Sequence, residues 1–234
     1  RDNLWFSTYG DDGLVCVTLT GDYLTFTTKN GASDDCFREV LELRDGSIVA
    51  ADRSGGLTFI ENYKVTNTIT EKETTITSAI LTMVQAQDGS IYCGSNGNGI
   101  IVIKYGKVIR HITEADGLNS LVVLRIVPYG EDLFYVTSDG IYYDDGENIR
   151  LLDNFPYSNN YDIYLSPDGE AWITSSTGLY IVNARSLAQN SNYSATLLNE
   201  NSGLDTALSA ISWNYVDENG NVVVGDEIDR KSVV

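Results

Sequence analysis

Apolar residues along the chain fall in short runs separated by turns rich in Gly, Asp and Asn. Within the runs, apolar and polar positions mostly alternate, which is the period of a β-strand and not of a helix. The segments 39–44 and 78–87 are continuous enough to suggest helices. The equivalent segment 121–128 is rich in β-branched residues, however, which favours strands at all three places. The pattern therefore predicts an all-β protein.

A repeat of about 40 residues organises these strands. A Gly followed by Leu or Ile recurs at spacings of 43, 43, 41 and 38 residues, at Gly13, Gly56, Gly99, Gly140 and Gly178. Asp-Gly or Asn-Gly pairs, which suit the positive φ of tight hairpin turns, recur in step with this marker, one strand earlier. Two markers with the same period indicate a true internal repeat.

Each period contains four short strands, which in the third unit we place at 90–94, 99–104, 107–112 and 121–128. Four strands per repeat of this length are typical of β-propeller blades. We therefore predict a β-propeller fragment of about five four-stranded blades plus the start of a sixth. The predicted propeller covers residues 1–228, with units at 1–44, 45–87, 88–128, 129–167 and 168–218 and a stub at 219–228.

The two ends of the chain lead us to expect a piece of a longer protein. The sequence begins at Arg1, without an initiator Met or a signal peptide, and enters a strand-like run at once. Residues 229–234 match one reading frame of a common sequencing-adapter oligonucleotide, so we expect a non-native tail there. An arc cut from a longer array exposes two blade faces, and a homodimer is therefore one expected state.

Composition and charge narrow the classes of function. Hydrophobic residues make up 42% of the 234 residues, which is enough for a sizeable core. The net charge of −18 argues against a nucleic-acid partner, because binding to phosphates needs Lys and Arg. No apolar run is long enough to span a bilayer, so this segment is not expected to enter the membrane. Three scattered Cys and one His indicate neither a disulfide framework nor a metal site, and no cofactor is expected.

Motifs in two of the units resemble those of a known repeat family. Residues 116–120 (Asp-Gly-Leu-Asn-Ser) resemble an opening motif Asp-Gly-Leu-Pro-Ser, and residues 203–206 repeat part of it. Residues 169–175 (Gly-Glu-Ala-Trp-Ile-Thr-Ser) resemble a strand motif Gly-x-Leu-Trp-Ile-Gly-Thr. Both motifs are those of the two-component regulator propeller repeats, which the chain therefore resembles. The family's Pro is replaced by Asn119 in one unit and by Asp205 in another.

The resemblance implies a role and not a reaction. Propellers of this family are the exported sensor portions of bacterial membrane signalling proteins, and they precede a transmembrane helix and a histidine kinase or diguanylate cyclase. It implies a non-catalytic, ligand-sensing propeller in the periplasm or at the cell surface, within a membrane-anchored parent. The expected ligand is a small molecule, a glycan or a peptide. Two alternatives stay open: a scaffold for protein interactions and a carbohydrate-active propeller enzyme.

Candidate ligand-binding residues lie in two places. In propellers the loop after a blade's innermost strand lines one end of the central channel, and we take the first strand of each unit as innermost. The polar residues at these rim positions are Tyr9, Asp52, Arg53, Ser95, Asn96, Ser138, Asp139, Ser176 and Thr177. Arg53 is the only cation among them and suits a carboxylate or phosphate. A second candidate is an aromatic loop, since Tyr and Asn are common in binding surfaces, and it contains Tyr157, Asn159, Asn160 and Tyr161.

No residue is assigned a catalytic or metal-binding role. His111 is the single His, and we expect it on a third strand facing solvent, without a nucleophile beside it. Paired carboxylates are expected in solvated turns, where Asp favours the local backbone. These pairs are Asp11-Asp12, Asp34-Asp35, Glu131-Asp132 and Asp144-Asp145.

Overall fold

The computed structural model of the protein describes residues 3–8, 10, 12–156, 159–204, 208, 215–216, 221–225 and 231–233. Strands dominate this part of the chain, as the alternating pattern predicts. The prediction missed two short α-helices, α1 (Glu71–Thr74) and α2 (Ala184–Ala188), because each spans about one turn and leaves little periodicity. Single 3-10 turns lie at Thr28–Asn30, Glu114–Asp116 and Glu200–Ser202.

The strands of the described residues form six antiparallel sheets in chain order. The first holds β1 (Leu4–Ser7), β2 (Leu14–Val17) and β3 (Tyr23–Phe26). The second holds β4 (Phe37–Glu42), β5 (Ile48–Asp52), β6 (Leu57–Glu61) and β7 (Lys64–Ile69). The third holds β8 (Ile80–Gln85), β9 (Ile91–Ser95), β10 (Ile100–Lys104) and β11 (Lys107–Ile112).

The fourth sheet holds β12 (Val123–Tyr129), β13 (Asp132–Thr137), β14 (Ile141–Asp144) and β15 (Ile149–Leu151). The fifth holds β16 (Asn160–Leu165), β17 (Glu170–Ser175), β18 (Gly178–Asn183) and β19 (Thr196–Leu198). The sixth holds β20 (Tyr215–Val216), β21 (Val222–Gly225) and β22 (Lys231–Val233). The last strand falls in the segment where we expect a non-native tail, and its pairing with β21 leaves that expectation untested.

The first strands of the four-stranded sheets are the innermost strands of the arc. Strand β8 contacts both β4 and β12, and β12 contacts β16, so the first strands of neighbouring sheets lie together. Within each sheet the remaining strands follow in chain order towards the outer edge. The segment 121–128, placed fourth in its unit by the repeat pattern, forms β12 and pairs with β13. The strand was predicted correctly and its blade was not, because the Asp-Gly marker lies in the hairpin between the first and second strands.

The core consists of layers between adjacent sheets and not of one central cluster. Five clusters of buried apolar side chains each join two successive sheets. Strand β5 shows why: its alternate side chains face opposite ways, so Ile48 and Ala50 pack towards the first sheet while Val49 and Ala51 pack towards the third. The free thiols of Cys16 and Cys93 are fully buried in these layers, as predicted for small apolar residues.

A repeated cap directs the chain from one blade to the next. Thr27, Thr70 and Thr113 each begin a short helical turn, and they are spaced by 43 residues. The side chain three residues further on accepts a hydrogen bond from the backbone N–H of each Thr, at 2.7, 2.9 and 2.9 Å. This reciprocal capping fixes the point at which each innermost strand begins.

Candidate functional site

The predicted rim residues that the structure describes lie in hairpins between the second and third strands of their blades. We had expected them to follow the innermost strand, and that part of the prediction is wrong because the innermost strand comes one step earlier in each blade. A backbone N–H in each hairpin nevertheless donates to a carbonyl just before the innermost strand of the same blade, at 2.9 to 3.3 Å. The donors are Arg53, Asn96, Ser138 and Ser176. The hairpins therefore mark one end of the arc, which we call the upper end.

Two of the predicted residues are used by the fold itself. Asp52 is 2% exposed, and its Oδ1 accepts from two backbone N–H groups of its own hairpin at 2.8 and 2.9 Å. The buried Ser95 hydroxyl donates to the carbonyl of Gly99 at 2.8 Å. Thr137 and Ser175 occupy the same position in their blades and make the same type of bond. Ser95, Thr137 and Ser175 all lie a few positions before a Gly-Leu or Gly-Ile marker, so the pattern is visible in the sequence. These side chains hold the hairpins through hydrogen bonds to the backbone.

The remaining rim residues of the described chain present polar groups at the upper end. Arg53, Asn96, Ser138, Ser176 and Thr177 are exposed, and Tyr9 lies outside the described residues. Asp139 is half-buried and accepts hydrogen bonds from the hydroxyls of Thr137 and Tyr142, at 2.6 and 3.0 Å. The structure thus keeps five of the nine predicted rim residues accessible.

One cavity at the upper end includes two of these rim residues. It has a volume of about 290 Å³ and brings Ser176 and Thr177 together with the connection after β19, notably Asn199 and Glu200. The connection residues come from the capped 3-10 turn of the fifth blade. Sequence patterning alone did not associate this turn with the rim.

The predicted aromatic loop is divided by the structure. Tyr157 lies outside the described residues, and Asn159 precedes the strand in a left-handed conformation with φ of 50°. Asn160 and Tyr161 are not in a loop: they begin the innermost strand β16, where Asn160 is 2% exposed. Of this set, Tyr161 is half-buried on the innermost strand of the fifth blade.

A set of polar side chains that the sequence patterning missed lies at one level of the innermost strands. Its members, the inner polar level, are Glu39, Thr82, Arg125 and Asp162. Each follows a shift in register and pairs with an equivalent residue of the second strand in its blade. Their spacings of 43, 43 and 37 match the repeat, so polar residues at a fixed position of the repeat, inside apolar strands, were the available signal.

Opposite charges meet at the inner polar level. Arg125 Nε lies 3.4 Å from Asp162 Oδ2, with side chains only 11% and 15% exposed. Burial raises the pKa of Glu39 from 4.5 to about 7, although the charges of Arg125 and Arg38 oppose that rise. The inner polar level can therefore exchange a proton near neutral pH while offering both a hydrogen-bond donor and acceptors.

Two predicted surface residues are more enclosed than expected. His111 lies on the outermost strand β11, not on a third strand, and is half-buried. Its Nε2 is 2.6 Å from the Asn98 carbonyl oxygen, and its Nδ1 is 3.2 Å from the Thr75 hydroxyl. Asp144 is 3% exposed at the end of β14, where it accepts from the Tyr135 hydroxyl, so the prediction of a solvated turn was wrong. Both residues link neighbouring segments of the fold.

The described part of the chain holds neither a metal-ligating cluster nor a membrane-spanning helix. No group of three or more His, Cys, Asp or Glu side chains there is placed to hold a metal ion. None of the helices found there has the length and apolar character needed to cross a bilayer.

Solved structures of low sequence identity share this architecture. The extracellular domain of the hybrid two component system BT3049 from B. thetaiotaomicron superposes with a TM-score of 0.77 at 15% identity, over 98% of this chain and 31% of that one. The WD40 β-propeller domain of Doa1 gives 0.69 at 15% identity, over 99% and 74%. The chain is an arc of a β-propeller. The predicted fold class is confirmed.

The comparisons also include an enzyme. Virginiamycin B lyase from Staphylococcus aureus superposes with a TM-score of 0.67 at 13% identity, over 99% of this chain and 80% of that one. The propeller arc spans about a third of the length of the BT3049 domain. No protein-family model and no curated protein matches the chain. These likenesses establish the fold alone.

Proposed function

We propose that this propeller arc is the ligand-sensing part of a longer bacterial signalling receptor, lies outside the cytoplasm and does not catalyse a reaction. Its likeness to the extracellular domains of BT3049 and of the one component system BT4673 supports this role, the latter with a TM-score of 0.69. The motifs at 116–120 and 169–175 resemble the same class of sensor. The parent would carry the membrane anchor and the output domain.

The observation that carries the proposal is the inner polar level. Arg125 and Asp162, from adjacent blades, form a largely enclosed ion pair, and the charge of Arg125 acts on the buried carboxyl of Glu39 from a third blade. A ligand that enters at the upper end and exchanges hydrogen bonds with these groups changes the interaction between blades. A receptor can transmit such a change, because binding favours the blade arrangement that holds the ligand better.

The experiment is a response assay in cells with the parent receptor. Output, as kinase phosphorylation or cyclic di-GMP, is measured against libraries of sugars, peptides and amino acids. Arg125→Met is expected to abolish or shift the response while the receptor still reaches the membrane. Lys104→Met, which removes an exposed ion pair with Asp88, is the matched control and should respond normally. An unchanged response in Arg125→Met, or a parent gene without an output domain, would refute the proposal.

A second candidate is a carbohydrate-active enzyme. The raised pKa of Glu39 makes its carboxyl a suitable general acid, and Asp162 lies on another innermost strand at the same level. The enzyme is favoured over the sensor if the protein releases a product from a sugar substrate and Glu39→Gln still binds the sugar but no longer releases the product. Binding without turnover favours the sensor.

A further inference from the structure

The single histidine of the chain lies beside two segments at the upper end of the arc. His111 on β11 pairs with Ile101 on β10, and Ile101 packs in the layer between the second and third sheets. Paired residues of neighbouring strands lie on the same face of a sheet, so the imidazole is on the side of the second blade. There it contacts the connection 75–79, which leads from α1 to β8, and the hairpin 95–99 of the third blade.

Three hydrogen bonds join the ring to these segments. His111 Nε2 is 2.6 Å from the Asn98 carbonyl oxygen, and Nδ1 is 3.2 Å from the Thr75 hydroxyl. The Thr75 hydroxyl also lies 2.6 Å from the Thr74 carbonyl oxygen. A carbonyl oxygen only accepts, so Nε2 and the Thr75 hydroxyl both donate. The single hydrogen of the hydroxyl is then used, and Nδ1 donates as well.

This geometry fits the imidazolium form of His111. Three contacts need three hydrogens, and an imidazolium and a hydroxyl together supply three. A neutral ring carries one N–H, so it supplies two hydrogens together with the hydroxyl, and one contact is lost whichever tautomer forms. Histidine side chains commonly change charge between about pH 5 and pH 8. The number of contacts therefore depends on pH in this range.

The ring holds the connection to the hairpin at Thr75 and Asn98. Asn98 Oδ1 accepts from the Ser78 hydroxyl at 2.8 Å and from the Thr77 backbone N–H at 3.3 Å, so the two segments are in direct contact. Thr75 has a φ of 59°, in the left-handed region that a β-branched residue rarely adopts. Because this backbone is strained, loss of a hydrogen bond at the Thr75 hydroxyl favours movement of the connection away from the hairpin.

The charged groups near His111 lie outside both segments. The connection 75–79 and the hairpin 95–99 contain no Asp, Glu, Lys or Arg. Arg110 precedes His111, and Asp116 lies in the 3-10 turn that follows β11. Hydrogen bonds from the Thr113 backbone N–H and the Arg110 guanidinium lower the pKa of Asp116, so this carboxylate stays ionised between pH 5 and pH 8. The other charged groups of this 3-10 turn, of α1 and of the second-blade hairpin are Asp52, Arg53, Glu71, Lys72, Glu73 and Glu114.

We propose that His111 is a proton-dependent latch at the upper end of the arc. Its imidazolium form ties the connection 75–79 to the hairpin 95–99, and loss of the proton as pH rises releases one of the three hydrogen bonds. The predicted rim residue Asn96 lies in this hairpin, so the rim is held more firmly at pH 5 than at pH 8. Control of ligand entry by the latch rests on the proposed receptor function. The latch itself is a property of the chain, so its failure leaves the receptor proposal standing.

The first test observes the ring directly. His111 is the only His, so nitrogen-15 labelling of histidine gives one imidazole to follow by NMR. Both ring nitrogens of the purified chain should carry a proton at pH 5, and one of the two protons should be lost towards pH 8. A ring with the same protonation at both pH values would overturn the proposal.

The second test measures the release by amide hydrogen exchange, corrected for the intrinsic effect of pH. The Asn96 N–H donates to the Ala79 carbonyl at 2.9 Å and so joins the hairpin to the connection, and the Ser138 N–H makes the equivalent bond in the fourth blade. The protection of Asn96 relative to Ser138 should fall about threefold or more from pH 5 to pH 8, as expected for one lost hydrogen bond. Because the titration of Glu39 acts on the whole fold, the ratio separates the latch from it.

Variants connect this fall to the ring. His111→Gln keeps a side-chain amide that donates but does not titrate, so its ratio should stay constant with pH. Thr75→Val keeps the β-branched shape without the hydroxyl and should also lose the fall, which preserves the comparison if His111→Gln folds poorly. Lys107→Gln, an exposed change on the same strand, is the matched control and should retain the fall. No fall in the unsubstituted chain, or an equal fall in His111→Gln, would overturn the proposal.

Discussion

Glu39 should make the stability of the propeller arc fall with pH. Burial raises the pKa of its carboxyl from 4.5 to about 7. The folded state then holds the proton more tightly than the unfolded chain does, so the free energy of unfolding decreases as pH rises. The decrease begins near pH 4.5, where the unfolded chain loses the proton, and ends once the folded carboxyl has ionised, above about pH 7.

The size of the effect follows from the two pKa values. Each tenfold difference in proton affinity corresponds to about 1.4 kcal/mol, so the gap between 4.5 and about 7 amounts to about 3 kcal/mol. This is an upper limit, because Glu39 keeps some contact with solvent. Glu39→Gln removes the titration and keeps the shape. It should change stability little near pH 4 and stabilise the protein most at pH 8.

Urea unfolding of both proteins between pH 4 and pH 9, followed by circular dichroism, measures this difference. Glu42→Gln is the matched control, since Glu42 lies on the same strand but is exposed. Its difference from the unsubstituted protein should be small at every pH. The reasoning is refuted if the effect of Glu39→Gln is the same at pH 4 and pH 8, or if Glu42→Gln shows an equal trend.

Three further predictions are open to the same urea unfolding assay. Gly99→Ala should lower the free energy of unfolding by about 3 kcal/mol, because a Cβ added at a φ of 76° meets a carbonyl oxygen of the outermost strand. Gly97→Ala should lower it by only about 1 kcal/mol, because φ is positive there too but the space around the Cβ is open. Equal losses would rule out the clash. Ser95→Ala should cost about 1–2 kcal/mol through its buried hydroxyl, and the exposed Asn96→Ala less than about 0.5 kcal/mol; a small loss in Ser95→Ala contradicts its role in the turn. Arg125→Met should cost about 2 kcal/mol at pH 7, because its partner carboxylate stays enclosed; no loss means that the ion pair is not formed.

The blade count and most strands followed from local signals. The positive φ at Gly99 and Gly178 and the hairpin at Asp88-Gly89 depend on only a few neighbouring residues, so they can be predicted from the sequence. Their period then predicts the number of units. The grouping of strands into blades was one strand out of phase, because the marker turn joins the first strand to the second.

The candidate site was harder to predict because its members are distant in sequence. Asp52 and Ser95 were selected for their place beside a turn, and the structure uses them to hold that turn. Glu39 and Arg125 were not selected from the sequence, and only the register shifts of the innermost strands place them at equivalent positions. The cavity of about 250 Å³ that Trp5 and Tyr63 line likewise combines residues of two sheets.

The sequence by itself determined the all-β class, the repeat of about 40 residues and the turns, because alternation, Gly and Asn-Gly or Asp-Gly pairs act over a few residues. Tertiary structure alone decided which strand is innermost, which polar side chains are consumed by hairpins, and which charges meet in an enclosed place. The physical reason is that burial and charge pairing depend on contacts between blades. Those contacts join residues that are far apart in the sequence, so no local sequence pattern predicts them.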